Sequence, residues 1–201
     1  GFVSYLTDEN ITSNDVKSYL NRYVSGVSYN TIKRHLNALI NEARGIGMNS
    51  TPMEGLKAKK TKAKLHKPYK DVAAILKEVK SYNQNLYICC LLTYGCLLRP
   101  HREIRELKWA DFSDNLGYIH LSGQRNKSGR NRIVPVPVYV RNDLKKGQDL
   151  HNIFTGNESA LNSSYFNTLW GRFKRVSKLI EQDQTLYSFR HSGAIEIFKR
   201  T

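Results

Sequence analysis

The chain has 201 residues, 40% of them apolar, which is enough for an ordinary soluble core in one large domain or two small ones. Lysine and arginine number 32 against 17 acidic residues, and the resulting formal charge of +15 favours a polyanionic partner, nucleic acid before an anionic membrane. Basic ribosomal proteins have a similar balance, so the charge indicates a class of partner and says nothing about chemistry.

Cysteine spacing and hydropathy argue against disulfide-rich, metal-binding, membrane-spanning and secreted proteins. The cysteines Cys89, Cys90 and Cys96 have no C-x-x-C spacing, and no acidic or histidine cluster has metal-ligand spacing, so we predict no disulfide framework, no zinc site and no other metal site. The longest apolar run, Leu86 to Leu98, is too short to span a bilayer, and no segment resembles a signal peptide. We expect a soluble cytoplasmic protein, associated with the nucleoid if bacterial, with no membrane contact.

The first predicted helix follows Thr12, which forms a capping pair with Asp15. Its apolar face has the helical spacing i, i+3, i+4, i+7: Val16, Tyr19, Leu20 and Tyr23.

A second helix is predicted with Ser28 as its cap and with Gly45 and Gly47 as its stop. Its predicted apolar stripe consists of Ile32, Leu36, Leu39, Ile40 and Ala43. Its opposite face has hydrogen-bond donors and a single acid, Glu42; the donors are Asn30, Lys33, Arg34, Asn37, Asn41 and Arg44. Such a face suits sugar-phosphate contacts, and an ordinary solvated helix face explains it equally well.

Residues 56–70 contain seven lysines and no acidic residue, with Gly55 before them and Pro68 within them. This composition predicts an extended basic linker that divides the chain into domains 1–55 and 71–201. The candidate phosphate-binding residues of the linker are Lys59, Lys60, Lys62 and Lys64. A solvated tether would have the same composition.

The second domain begins with an amphipathic helix, for which the apolar residues are Val72, Ile75, Leu76 and Val79. The apolar stretch 86–98 predicts a central buried helix. Residues 116–121 and 132–136 read as two strands joined by a turn at Ser128-Gly129, and helical patterns return from about Ser163. The predicted fold is mainly α with a small antiparallel β-sheet.

Four sequence motifs follow one another in this second domain. They are Gly95-Cys96-Leu97-Leu98-Arg99, the segment Glu103 to Asp111 (EIRELKWAD), Asn126-Lys127-Ser128-Gly129 leading into Val134-Pro135, and Tyr187-Ser188-Phe189-Arg190-His191. Attack on a phosphodiester places extra charge on the non-bridging oxygens, which guanidinium groups hold with paired hydrogen bonds. Each cation alone has an ordinary structural explanation; their order along the chain favours the functional one.

Together these motifs resemble the tyrosine recombinases, also called the phage integrase family, over nearly the whole chain. The resemblance implies a helical core-binding domain of the SAM-like type at 1–55, the basic linker, and an α+β catalytic domain that is incomplete at its C-terminus. It also implies cleavage and rejoining of double-stranded DNA through a 3′-phosphotyrosine, without metal or other cofactor, by a homotetramer on DNA.

By this resemblance Arg99 is the first catalytic arginine, Arg190 the second, and Lys127 the general acid that protonates the leaving 5′ oxygen. Two positions depart from the family. The family has R-x-x-E, whereas Arg99 is four residues before Glu103; Arg102 is therefore a competitor, although Arg99 directly follows the apolar helix as the family's arginine does.

The second departure is Tyr187, which stands where the family has the histidine of H-x-x-R. A phenol with a pKa of about 10 is a poor proton acceptor at neutral pH, but it can donate a hydrogen bond to phosphate. We expect His191, next to Arg190, to be structural.

In the family a second His or Trp and the tyrosine nucleophile follow by several helical turns. The sequence ends at Thr201 before any such residue, so we expect a chain truncated before its nucleophile, inactive by itself and monomeric in solution. Two alternatives stay open: a non-catalytic DNA-binding regulator with a vestigial recombinase fold, and a basic RNA-binding protein, for which no RRM-type motif is visible.

Overall fold

A computed structural model describes residues 11–61, 66–125 and 129–200. The predicted residues Lys62, Lys64 and Lys127 lie outside the described residues. The chain divides into two compact units, Gly1–Ala63 and Lys64–Thr201.

The described residues form eight helices and two strands. The helices are α1 (Ser13–Asn21), α2 (Gly26–Gly45), α3 (Val72–Tyr82), α4 (Gln84–Gly95), the one-turn α5 (Arg102–Arg105), the one-turn α6 (Val138–Arg141), α7 (Tyr165–Val176) and α8 (Ser188–Arg200). The strands are β1 (Tyr118–Leu121) and β2 (Arg132–Pro135). This architecture confirms the predicted fold class.

The first unit has a core of its own between α1 and α2. Thr12 caps α1 as predicted, since its hydroxyl accepts from the Asp15 amide and the Asp15 carboxylate accepts from the Thr12 amide. The buried core residues are Val16, Tyr19, Leu20, Tyr29, Leu36 and Ile40.

Two details of the predicted second helix are wrong. The helix begins earlier, because Ser25 is its cap and accepts from the Ser28 amide, which places Ser28 within the first turn. Leu39, predicted for the apolar stripe, is 66% exposed. Leu36 and Ile40 fill the space against α1, and the side chain of Leu39 points away from the core.

The basic segment after α2 is fastened to the first unit at Lys59. The Asn30 side chain donates to the Lys59 carbonyl (2.8 Å) and accepts from the Lys59 amide (2.9 Å). The Lys59 ammonium lies 4.4 Å from the centre of the Tyr29 ring and donates to the Tyr23 carbonyl. Residues 56–61 have no helix or strand, yet this pairing orders their backbone.

The second unit is built around α4, which is buried on nearly every side as its apolar sequence predicts. It packs against α3, α7 and α8. The contact with α8 is closest at Gly193, where an added Cβ would lie 2.1 Å from the Tyr94 carbonyl oxygen. A glycine at this position therefore lets the two helix backbones approach.

The residues that precede α3 are anchored on α8. The Tyr69 amide donates to Ser192 Oγ (2.8 Å), and its hydroxyl donates to the Thr185 carbonyl (2.7 Å). The Tyr69 ring packs against Phe189, with 4.6 Å between ring centres. This segment thereby holds the start of α8, which carries Arg190.

The two strands pair antiparallel, with Tyr118 opposite Pro135 and Leu121 opposite Arg132. The first strand begins at Tyr118 instead of the predicted Leu116, because Leu116 has a positive φ of 56° and belongs to the preceding turn. Ile119 and Val134 face the core from the centre of the hairpin.

In the described part of the chain no helix is both long and apolar enough to cross a membrane. The three cysteines are free and buried, and burial raises the pKa of the Cys96 thiol to about 12. Among the described residues no group of three or more His, Cys, Asp or Glu side chains is arranged to hold a metal ion.

We predict that Gly193→Ala lowers the free energy of unfolding of the second unit by about 3 kcal/mol, because the methyl group meets a helix backbone that cannot yield. Gly171→Ala is the matched control. Gly171 is also helical, and an added Cβ there has no neighbour within 4 Å. This control should gain about 0.5–1 kcal/mol from helix propensity. Urea unfolding of both variants measures the difference, and equal stabilities would contradict the close packing of α4 on α8.

We further predict that Asn30→Ala frees the Lys59 backbone and speeds exchange of the Lys59 amide hydrogen at least about tenfold, as expected from losing hydrogen bonds worth about 1 kcal/mol each. Amide exchange followed by NMR measures this. Asn37→Ala, at an exposed position of the same helix, should leave the Lys59 amide unchanged. Unchanged protection in both variants would mean that Asn30 does not hold this segment.

Candidate active site

The turn after α4 brings the two predicted catalytic arginines to one place. Leu97 adopts a left-handed conformation (φ 52°), which reverses the chain between Gly95 and Arg99. The carbonyl of Leu97 accepts a hydrogen bond from Nε of Arg190 (2.7 Å), a residue 93 positions later. Arg190 is thus fixed to the turn that carries Arg99.

A buried carboxylate holds the first of these arginines. Glu103 is 1% exposed. Its carboxylate accepts from the Arg99 amide (2.9 Å), from Arg99 Nη1 (2.5 Å) and from Arg132 Nη2 (2.7 Å). The orientation of the Arg99 side chain is therefore set from both its backbone and its guanidinium.

Arg132 is a member of the site that the sequence analysis missed. It lies on β2, and its Nε is buried without a hydrogen-bond partner among the described residues. The available signal was an arginine inside a short apolar strand, directly before Ile133, Val134 and Pro135. A partly buried cation at the start of a strand is stabilised by an anion, and Glu103 supplies it.

The arginines influence one another electrostatically. The pKa of Arg190 is lowered first by burial and then by the nearby charge of Arg99, with a smaller contribution from Arg132, while Glu103 acts in the opposite direction. One carboxylate thus stands among three guanidinium groups. This excess of positive charge in a partly buried place favours a bound anion.

The competing arginine, Arg102, is in a different environment. Its side chain is 64% exposed and pairs with Glu106 at 3.3 Å, whereas the side chain of Arg99 is 29% exposed. Arg102 begins the one-turn helix α5 and has no hydrogen bond to Glu103 or Arg190 among those described. The structure brings Arg99, and not Arg102, together with Arg190.

Tyr187 lies directly before α8, and its carbonyl accepts from the amides of Arg190 (3.0 Å) and His191 (3.3 Å). Its ring lies between two imidazoles: His66 is stacked on it at 5.4 Å, and His101 lies at 5.6 Å with a tilt of 53°. His191 also stacks on His66, with 5.7 Å between ring centres. Sequence analysis named Tyr187 and His191 but did not anticipate His66 or His101.

The hairpin segment that contains Lys127 is described only at its two ends. On one side, Arg125 forms a paired ion contact with Asp111. On the other, Asn131 Oδ1 accepts from the Gly123 amide (2.7 Å). The position of Lys127 relative to the arginines stays a prediction.

The candidate DNA-binding residues of the first unit fall into two groups. Asn30 and Lys59 hold each other through the hydrogen bonds described above, so the Asn30 amide is already occupied. The remaining described candidates lie on the surface, partly exposed at Lys33 and exposed at Arg34, Asn37, Arg44 and Lys60. Their contacts with DNA stay a prediction.

The fold of a helical unit followed by a helical unit with one antiparallel hairpin is shared by solved structures. Lambda integrase (residues 75–356) bound to DNA superposes with a TM-score of 0.79 at 19% identity, covering 98% of this chain and 75% of that one. A lambda integrase tetramer bound to a Holliday junction gives 0.73 at 20% identity, covering 96% and 62%.

The Tn1549 transposon integrase in complex with a circular intermediate DNA gives a TM-score of 0.65 at 15% identity, covering 96% of this chain and 74% of that one. No family model and no curated protein sequence matches the chain. The chain therefore has the integrase fold, which confirms the fold that the motifs predicted.

We predict that Glu103→Gln lowers the free energy of unfolding by about 3 kcal/mol, because the amide keeps the volume of the buried side chain but leaves partly buried guanidinium groups without their counter-charge. The NH2 group of the introduced glutamine would also face an N–H donor of Arg99 or Arg132. Glu106→Gln is the control, since that carboxylate pairs with Arg102 and Arg105 near the surface and should cost about 1 kcal/mol. Urea unfolding compares them, and a loss no larger than the control's would mean that Glu103 does not organise the site.

Proposed function

We propose that the chain is the core of a tyrosine-type DNA recombinase, whose second unit holds the phosphodiester that is cut and whose first unit contacts the flanking duplex. The observation that carries this proposal is the convergence of Arg99 and Arg190 on the turn at Leu97, within the integrase fold. The charge of +15 supports a polyanionic partner.

In this proposal Arg99 and Arg190 donate paired hydrogen bonds to the non-bridging oxygens of the phosphate. Those oxygens gain charge as phosphorus becomes five-coordinate, so donors fixed in advance stabilise the transition state more than the ground state. Glu103 and the Leu97 carbonyl supply that fixation for Arg99 and Arg190, respectively. Neither arginine needs to reorganise when charge develops.

The remaining roles come from the family resemblance. Lys127 protonates the leaving 5′ oxygen, and Tyr187 donates a hydrogen bond to the phosphate in place of the family's histidine. We assign the nucleophile to none of the tyrosines in this sequence. Tyr187 precedes Arg190 by one helical turn and is enclosed by two imidazole rings, which suits a supporting role.

The surface of α2 and the ordered basic segment would bind the DNA backbone. Lys33, Arg34, Asn37 and Arg44 would donate to phosphates from one helix, and Lys60 from the segment that Asn30 fastens. Such contacts position a protein on a duplex without reading its sequence. We further propose that the chain is monomeric in solution and that a recombinase with this core works as a homotetramer on DNA.

We predict that Arg99→Gln or Arg190→Gln, in a form of the protein that cleaves DNA, lowers the rate of strand cleavage at least about 100-fold, because each change removes a transition-state donor. Affinity for the duplex should change less than about tenfold, with the slope of log affinity against log salt reduced by about one. Arg102→Gln is the control and should cleave within about threefold of the wild type.

Cleavage is measured by trapping the covalent protein–DNA product on a nicked duplex, and affinity by fluorescence anisotropy across a salt series. Cleavage that survives both substitutions would refute the assignment of the clamp. Duplex binding by a chain that never cleaves in any form would favour the alternative, a DNA-binding regulator with a vestigial site.

A further inference from the structure

Four rings from three separate segments form a continuous cluster beside the arginines. In order they are His191, His66, Tyr187 and His101, with neighbouring ring centres 5.7, 5.4 and 5.6 Å apart. We call this the ring cluster. Only Tyr187 has a part in the proposed phosphate clamp, so the three imidazoles require an explanation of their own.

His101 differs from the other two imidazoles in having a buried atom without a partner. Its Nδ1 makes no hydrogen bond to any described residue. His66, in contrast, uses its Nδ1 in a 2.8 Å hydrogen bond with the Thr185 hydroxyl. His191 lies at the exposed end of the ring cluster. A buried imidazole nitrogen without a partner is uncommon in folded proteins and calls for an explanation, of which a functional role is one.

The surroundings of His101 keep it neutral in the free protein. Burial and the charge of Arg105, four residues later on α5, lower its pKa. Its ring contacts the ring of Tyr187, which directly precedes α8; Tyr187 in turn contacts His66, and Arg99 is two residues before His101 in the chain. The nearby carboxylates are already occupied, Glu103 by Arg99 and Arg132 and Glu106 by Arg105, so burial and Arg105 disfavour a positive charge on the imidazole.

A DNA phosphate would reverse this balance. It would bring negative charge to Arg99 and Arg190, and His101 is joined to that place through Tyr187 and its own chain segment. We propose that His101 takes up a proton when a DNA phosphate binds at Arg99 and Arg190, and then acts as a further cation of the phosphate site. This inference rests on the proposed function, and it assigns to His101 the proton-accepting group that Tyr187 cannot provide.

The sign of the effect on DNA affinity follows from linkage. A group that is neutral in the free protein and protonated in the complex makes affinity fall as pH rises, between its lower free pKa and its higher bound pKa. One proton limits this slope to about tenfold per pH unit. The same lowered pKa makes the free protein more stable as pH rises through the range in which the unfolded imidazole still binds a proton.

The test is an NMR titration of the histidine ring Cε1–H signals from about pH 5 to about pH 8, with and without a saturating short DNA duplex. We expect the pKa of His101 to rise by about one pH unit or more when DNA is added. His151 is the internal control, because it lies partly buried in the loop after α6, away from the residues proposed to contact DNA, and should not change. His101→Gln identifies the signal and should flatten the pH dependence of affinity.

Arg190→Gln should abolish most of the rise at His101 while the protein still binds DNA, and the equally neutral Arg190→Ala serves if the glutamine variant does not fold. DNA binding with an unchanged pKa of His101 would overturn this inference and leave the proposed function standing. An equal rise in wild type and in the Arg190 variants would also overturn it, because the phosphate would then act elsewhere. No duplex binding by the wild type would overturn both.

Discussion

The candidate site depends on the ion pairs that the buried carboxylate of Glu103 forms with Arg99 and Arg132. Cations from a turn and from a strand, Arg99 and Arg132, meet at this single anion, and Arg190 lies close enough for its pKa to respond to all three. Without a counter-charge, guanidinium groups in a partly buried place would repel one another and turn towards solvent. Since Glu103 is the one counter-charge described for these three arginines, the cluster keeps a net positive charge and can bind an anion.

The close packing of α4 on α8 turns this local arrangement into a fixed geometry. Because Gly193 lets the two backbones touch, Arg190 reaches the Leu97 carbonyl directly. Tyr69 holds the start of α8 from the other side through Ser192 and Thr185. The positions of the two arginines are therefore set by hydrogen bonds to backbone and by helix packing. Because both side chains are already in place, no free energy is needed to reorganise them during a reaction.

The site also shows how an unusual residue is accommodated. A tyrosine in place of a histidine removes a group that titrates near neutral pH, and the fold places two imidazoles, His66 and His101, against that tyrosine. They come from outside the Tyr187–His191 motif, one from the segment before α3 and one from the turn before α5. Imidazole rings from neighbouring segments thus lie beside the tyrosine of the motif.

The sequence by itself predicted the longer helices, the hairpin and the resemblance to a known family. Periodicity, helix caps and the order of motifs can all be read directly from the order of residues along the chain. The sequence placed Thr12 and Gly45 at helix ends, yet misassigned Ser28 and Leu39, where a choice between neighbouring residues depends on packing. Only the tertiary structure showed that Arg99, and not Arg102, lies with Arg190, revealed Arg132, and joined His66 and His101 to Tyr187. These are contacts between segments far apart in the chain, and which distant side chain fills a given space is set by the packed core and carries no local signal.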